Sequence, residues 1–492
     1  MEDNAYLKDK LFTEDQVKLI FAKELAKAKI YDPSGTAQRT SRTFTGQYSQ
    51  EQLYNFLKSP TANEKNLRDA SVYMYHVNTR YHRLLHYYAG IPTYSYVATP
   101  LMFDSSKVKK ESFRKQYIKV MSKLELMNIK EETRNQILVA LREGVFYGVR
   151  WSDSSSAFIQ KLNPDICQIT SISDGVFLFS VDMSNIDEER LPCYPPQFEE
   201  MFREYQKTGV KWQPVDPDIS VCIKADRSVV EYSIPPFAGT LPELYVINDA
   251  QALQEAATEL DNYKLLVGEM DVDDEGIPKM TFDQMLEYYE QIAGNIGDRV
   301  GLAISPFKLS AIDFSKSAAA DAIDATARAV NNFWSACGTS AVLHGAENKT
   351  AGGLKLAIKQ DETLVFGLID QCERQLNRWL KTSMGGSIKF KVTFLKTTVF
   401  NLEDMISKYK ESLNYGIGKL YYMAALNIPQ YDIEGLTFIE NDVLQIDELL
   451  KPLKTSSTQS ADDNKSGRPP EDETDLDESG ESTRDNDTNA NR

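Results

Sequence analysis

Apolar positions along this chain recur with two periods, and the chain switches between them several times. From Glu14 to Lys29, Val17, Ile20, Phe21 and Leu25 fall on one side of a 3.6-residue repeat, with Thr13 placed to cap the first turn. The same period predicts helices over Ser49–Leu57, Asn66–Tyr88, Lys110–Leu126 and Glu131–Phe146, the last two joined by an Asn-Ile-Lys turn. Pro92 ends the second of these, and Tyr94–Val97 reads as extended. The period then drops to two. Phe146–Arg150, Ser156–Leu162, Gln168–Ser171 and Gly175–Val181 alternate as short strands, with turn chemistry at Asn163-Pro164-Asp165 and Ser173-Asp174-Gly175. A helix over Pro196–Lys207 starts on its proline. Strands at Ser220–Lys224 and Val229–Ser233 follow, before Pro235-Pro236.

The second half is mostly helical in pattern. Asp249–Val267 is rich in Ala, Leu and Glu, and Asp271-Val-Asp-Asp-Glu-Gly276 breaks it. Thr281–Ala293 reads as a short helix, and Val300–Ile304 and Phe307–Ile312 as strands. Lys316–Cys337 is a second long helix, with Ala318, Ala319, Ala320, Ala322, Ala325, Ala327 and Ala329 giving it a small-residue surface. Its residues 316–337 would span roughly 33 Å. Gly338–Gly353 is a Gly-, Ser-, Thr- and Asn-rich loop, and Leu354–Lys381 a third long helix. Beyond Gly385-Gly386 come a strand over Ile388–Phe394, helices over Leu402–Leu413 and Tyr415–Leu426, and an irregular stretch over Asp432–Leu444. From Thr455 to Arg492 the only aliphatic or aromatic side chain larger than Ala, proline aside, is Leu476. Such a stretch buries too little apolar area to offset its ordering entropy and reads as a disordered, acidic tail. The fold class expected from all this is mixed α+β and helix-rich. No period of 20 to 50 residues is present, so a solenoid or propeller is not expected.

Composition narrows the function. With 492 residues, 42% hydrophobic and 26% charged, the chain has enough apolar material for a large core. Its formal net charge of −17 excludes a protein that simply wraps nucleic acid, which needs a basic surface. A smooth conduit for DNA is not excluded, since sticking would be a fault there. Cys167, Cys193, Cys222, Cys337 and Cys372 are odd in number and far apart, with no CxxC pair. They read as reduced, mostly buried thiols rather than a disulfide framework or zinc site. No basic segment followed by an apolar stretch opens the chain, and no apolar run has the length of a membrane span, so no membrane partner is expected.

Catalytic motifs are missing. There is no GxxxxGK[ST], GxGxxG or GxSxG; Gly416-Ile-Gly-Lys419 is only a fragment of the first. His82 and His86 stand four apart on a helix, but Arg83 occupies the place of the metalloprotease Glu, and a structural role is the expectation. Asp271, Asp273 and Glu275 with Gly276 imitate the start of a calcium loop, but Phe282 stands where the bidentate Glu is due. No cofactor, no metal and no catalysis are expected.

Four stretches, in their order, resemble the portal (head–tail connector) proteins of tailed bacteriophages, in the branch infecting Gram-positive hosts. They are Tyr87-Tyr88-Ala89-Gly90-Ile91-Pro92-Thr93-Tyr94; Gly144-Val145-Phe146-Tyr147-Gly148 with Leu162-Asn163-Pro164-Asp165; Gly338-Thr339-Ser340 through His344-Gly345-Ala346-Glu347-Asn348-Lys349; and Leu450-Lys451-Pro452-Leu453 ahead of the polar tail with Gly467-Arg468-Pro469. The resemblance implies a wing (1–245), a first stem helix (246–267), a clip (268–315), a second stem helix (316–337), a tunnel loop (338–353), a wing-spanning helix and strand (354–400), a crown (401–454) and the tail (455–492). It implies a ring, usually of twelve subunits, at one capsid vertex, through which double-stranded DNA is packaged and ejected. The partners implied are the large terminase subunit, the head–tail adaptor, and the major capsid and scaffold proteins. The locations implied are the virion and, during assembly, the host cytoplasm.

On that resemblance His344, Asn348 and Lys349 would face DNA in the tunnel, with Lys349 making a transient phosphate contact. Glu255, Glu259 and Asp261 on the first stem helix would repel phosphates and centre the duplex. Asp271, Asp273, Asp274, Glu287 and Glu290 would form the docking surface of the clip. Two alternatives are carried. One is another virion protein, a minor head or adaptor protein. The other is an enzyme using carboxylates such as Asp271 and Asp273.

Overall fold

The computed structural model describes residues 48–101, 106, 108–152, 157–261, 264–269, 284, 287, 290–291, 300–305, 317–339, 351–383 and 388–446; at 256–261, 264–269, 300–305, 317–322 and 351–355 it describes the backbone alone. Two compact units divide at Tyr431 and Asp432. The first carries nearly all the described structure.

It opens with three helices: α1 (Gln50–Lys58), α2 (Glu64–Val77) and α3 (Thr79–Gly90). Ser49 and Gln52 close a reciprocal cap at the start of α1. The single helix expected over Asn66–Tyr88 is two. Asn78 is extended, and its side chain accepts from the amides of Arg80 and Tyr81, which ends α2 and caps α3. Strand β1 (Tyr96–Leu101) follows, then α4 (Lys110–Leu126) and α5 (Ile129–Glu143). Gly144, with φ +82, turns α5 into β2 (Val145–Ser152). The chain continues through β3 (Ala157–Lys161), β4 (Cys167–Ser173), β5 (Val176–Asp182), α6 (Gln197–Thr208), β6 (Trp212–Pro214) and β7 (Ser220–Lys224).

Two small antiparallel sheets result, ordered β3-β2-β7 and β4-β5-β6. The expected strand at Val229–Ser233 does not form. Residues 229–233 instead run as bends and irregular chain, although β3 and β7 are the edge strands of their sheet. Strand β6 carries too short a pattern to be read from sequence. The second sheet packs with α6 around Tyr147, Phe179, Val181, Phe198 and Val215.

Helix α7 (Leu241–Asp261) begins eight residues before the expected Asp249, because Pro242 sits at a helix start, where a missing N–H costs nothing. It ends earlier too: residues 264–269 form β8 (Lys264–Glu269), paired in parallel with β9 (Val300–Ser305). Then come α8 (Ser317–Ala336) and α9 (Ala351–Ser383). At 33 residues α9 spans roughly 50 Å. It starts three residues inside the expected loop. Strand β10 (Lys389–Phe394) pairs antiparallel with β1 across the whole chain, Tyr96 opposite Phe394 and Leu101 opposite Lys389. Helices α10 (Leu402–Leu413) and α11 (Lys419–Ala425) close the unit, α11 starting four residues after the expected Tyr415 because Gly416 and Gly418 both take positive φ. The second unit shows a short helix, α12 (Asp432–Thr437), running into a π-turn over Phe438–Val443.

The main core lies where α9 crosses α3, α5, β7 and β10. Val365, Leu368, Ile369, Cys372, Leu376 and Leu380 turn inward at helical spacing onto Tyr81, Leu84, Leu85, Ile137, Ile223 and Val392. All five cysteines are free thiols, four buried and Cys193 half-buried. Among the described residues no helix is long and apolar enough to cross a membrane.

Candidate functional site

The part of the fold that distinguishes it is an arm made by α7 and α8. Its root is in the core. Leu241, Leu244 and Ile247 begin α7 fully buried, and Ala329, Phe333, Trp334 and Cys337 end α8 buried. Phe333 and Trp334 meet edge to face, 4.9 Å apart. Away from the root the two helices stay side by side, and the Thr326 hydroxyl donates to the Ala250 carbonyl at 3.2 Å. Their outer surfaces are open: Leu253 is 68% exposed and Ile323 51%. The parallel pair β8–β9 belongs to the segment between the helices.

A buried clamp fixes the helix that follows. Asp361 on α9 is 3% exposed and accepts the Tyr87 hydroxyl at 2.9 Å on Oδ2 and the Tyr88 hydroxyl at 3.1 Å on Oδ1. Burial pushes its carboxyl up, against those two donors. Tyr88 stacks on Phe237, just ahead of α7, with ring centroids 5.1 Å apart. Tyr87 and Tyr88 come from the Tyr-rich stretch that sequence reading singled out; their carboxylate partner, 273 residues away for Tyr88, gave no signal.

Two further charged groups lie buried in the region ahead of α7. Glu143 takes Lys161 at 2.8 Å and Arg142 beside it. Burial alone would raise the Glu143 carboxyl, but the two cations outweigh it and hold it below the ordinary range. Arg150 is 5% exposed, lies over the Trp379 ring at 4.7 Å and donates to the Asp218 carbonyl at 3.2 Å. Burial pulls its pKa down to about 9. Glu132, which with Asp218 opposes that fall, is itself pushed up to about 7 by burial, against a bond from the Ile159 backbone amide.

The residues expected at the site divide sharply. Glu255 is exposed on α7. Glu259 and Asp261 lie on the last turns of the same helix, where the backbone alone is described. Glu287 and Glu290 are exposed helical positions, three apart. His344, Asn348, Lys349, Asp271, Asp273 and Asp274 lie outside the described residues. The histidine pair is packed: His82 and His86 rings sit 4.3 Å apart, and His86 Nε2 shares a 2.8 Å hydrogen bond with the Tyr75 hydroxyl. Among the described residues no group of three His, Cys, Asp or Glu is placed to hold a metal.

No protein-family model and no curated protein matches the chain. Among solved structures it is similar to one described as the virion of a native gene transfer agent particle, at 15% identity and a TM-score of 0.36, covering 73% of this chain and 89% of that one. It is also similar to one described as the neck of an empty gene transfer agent particle, at 15% identity and a TM-score of 0.39, covering 75% of this chain and 94% of that one.

Proposed function

We propose that this chain is a virion structural protein without catalysis, and within that class a portal subunit. Copies would close into a ring at one capsid vertex, and double-stranded DNA would pass through its centre. One observation carries the reading. The α7–α8 arm is rooted in the core, open on its flanks and interrupted by an insert at its far end, and it leads directly into a loop and a helix of 33 residues that crosses the core. An arm with exposed apolar and small side chains on its outer surfaces is suited to packing beside identical arms. The insert between the helices (268–315) is then the surface offered to the large terminase subunit during packaging and to the adaptor afterwards. The loop at 338–353 faces the duplex. The negative charge of the chain suits a channel in which DNA must not stick.

Light scattering with negative-stain imaging of the purified protein tests this. Closed rings of many subunits with a central hole are the expected result. A monomer or dimer that does not close even with capsid scaffold present would overturn the ring and, with it, the placement of Lys349 against DNA.

A further inference from the structure

We infer that the cavity between the α4–α5 turn, β1 and the segment after α11 is a binding site for one small organic acid, held by its carboxylate. The cavity has a volume of about 80 Å³, several times the space one water needs. Tyr96 of β1, Asn128 and Lys130 at the start of α5, and Ile428 and Gln430 beyond α11 all line it.

Gln430 is the observation that points to a ligand. It is 7% exposed, and its Oε1 accepts the Ala98 amide at 2.6 Å. That bond fixes which end of the side-chain amide is the nitrogen. Ala98 is not part of the lining, so Nε2 is the end left for the cavity, and it is buried with no hydrogen-bond partner. A buried donor left unpaired is costly, and an acceptor in the cavity removes that cost.

The start of α5 adds further donors. Asn128 is left-handed, with φ 44, and makes no side-chain cap. The first intrahelical bond runs from the Glu132 amide to the Asn128 carbonyl, so the amides of Ile129, Lys130 and Glu131 come before any acceptor in the helix. The positive end of the helix therefore meets the cavity uncapped. The Lys130 ammonium donates to Asn427 Oδ1 and has two more protons to give. Burial lowers its pKa, with Glu125 opposing, and an anion beside it would relieve that burial.

The rest of the lining selects the anion. Ile129, Ala424, Ile428 and Pro429 form a wall suited to the carbon end of an organic acid. Glu125 lines the cavity too. It is exposed and screened by water, yet it repels a dianion such as phosphate more than a single charge. A small monocarboxylate meets both conditions. Bound, it would tie α11 to β1, whose shared core is small: Val97, Leu395, Ala424 and Ala425. The inference goes beyond the portal reading and holds for a ring or a single copy alike.

The test uses the full chain and sodium acetate over about 1–100 mM, the range of a millimolar site, against equimolar sodium chloride. Acetate is expected to raise the thermal midpoint above the chloride control and to slow hydrogen exchange over Lys419–Ala425. Lys130→Met should weaken acetate about tenfold or more, one charge-assisted bond lost, and Lys130→Arg should retain it. Gln430→Glu keeps an acceptor for Ala98 but replaces the donor with a negative charge, and should abolish both responses. The exchange readout is local, so it remains decisive where a variant lowers the overall midpoint. Exchange unmoved by acetate, an undiminished acetate response in Lys130→Met, or a stronger response to phosphate than to acetate would overturn the assignment.

Discussion

Single side chains in this protein carry charge into places where water does not follow. Glu132, half-buried on the first turn of α5, is one whose titration burial moves into the neutral range. Burial lifts its carboxyl to about 7, Glu131 adds to the lift, and the Ile159 amide and Arg150 oppose it. Its folded value therefore lies above its unfolded one, and the folded state holds the extra proton between the two. The stability this group contributes is complete below the unfolded value and is lost as pH rises through about 7. Glu132→Gln removes that loss. The urea midpoint of the variant should fall less than that of the native chain between pH 5 and pH 8, and equal falls would show that Glu132 is not the titrating group. None of this was legible in the sequence. A glutamate on the first turn of a helix reads as a solvated charge, and only the packing of β3 against α5 makes it anything else.

At the scale of elements, the period of the apolar pattern was readable and the places where it stops were less so. Helix α4, helix α10 and strand β7 lie where their patterns put them, because each is bounded by its own polar or turn chemistry. The misreadings sit at boundaries. Asn78 divides α2 from α3 by capping, Val229–Ser233 forms no strand, and α7 begins at a proline that reads as a breaker. Gly144 shows how tight such a boundary is. It has φ +82, and an added Cβ would lie 2.7 Å from the Ile234 carbonyl carbon. Gly144→Ala should cost roughly 2–5 kcal/mol, the left-handed penalty plus overpacking. Gly209, with φ +72 and open space around it, should cost only about 1–2 kcal/mol for the same change. Urea unfolding of the two variants reads the difference, and equal losses would mean that the clash at Ile234 relaxes freely.

For the molecule as a whole, the α7–α8 arm is the feature on which the proposed ring turns. The sequence placed both helices and the break between them, but not which residues are covered. Leu253 and Ile323 lie open on the outer surfaces of the arm, while Phe333 and Trp334 hold its root. Leu253→Asp with Ile323→Asp should shift rings toward single copies in sedimentation, while the thermal midpoint of the single copy stays within about 1–2 °C of native, as expected of surface changes. Rings of undiminished size would place the subunit interface elsewhere. Of the acids expected in the stem and the clip, Glu255, Glu287 and Glu290 are exposed, and the cation expected in the tunnel, Lys349, lies outside the described residues.

The ribbon of β1 and β10 joins Tyr96 to Phe394, about 300 residues apart. At 5–20 residues per second a ribosome needs roughly 15–60 s to make the second strand after the first. Throughout that interval β1 presents Val97 and Ala98, buried in the finished protein, with an unpaired edge. A nascent chain of this kind is a client for whatever shields strands during synthesis, and its yield should depend more on the speed of translation than on the stability of the completed fold.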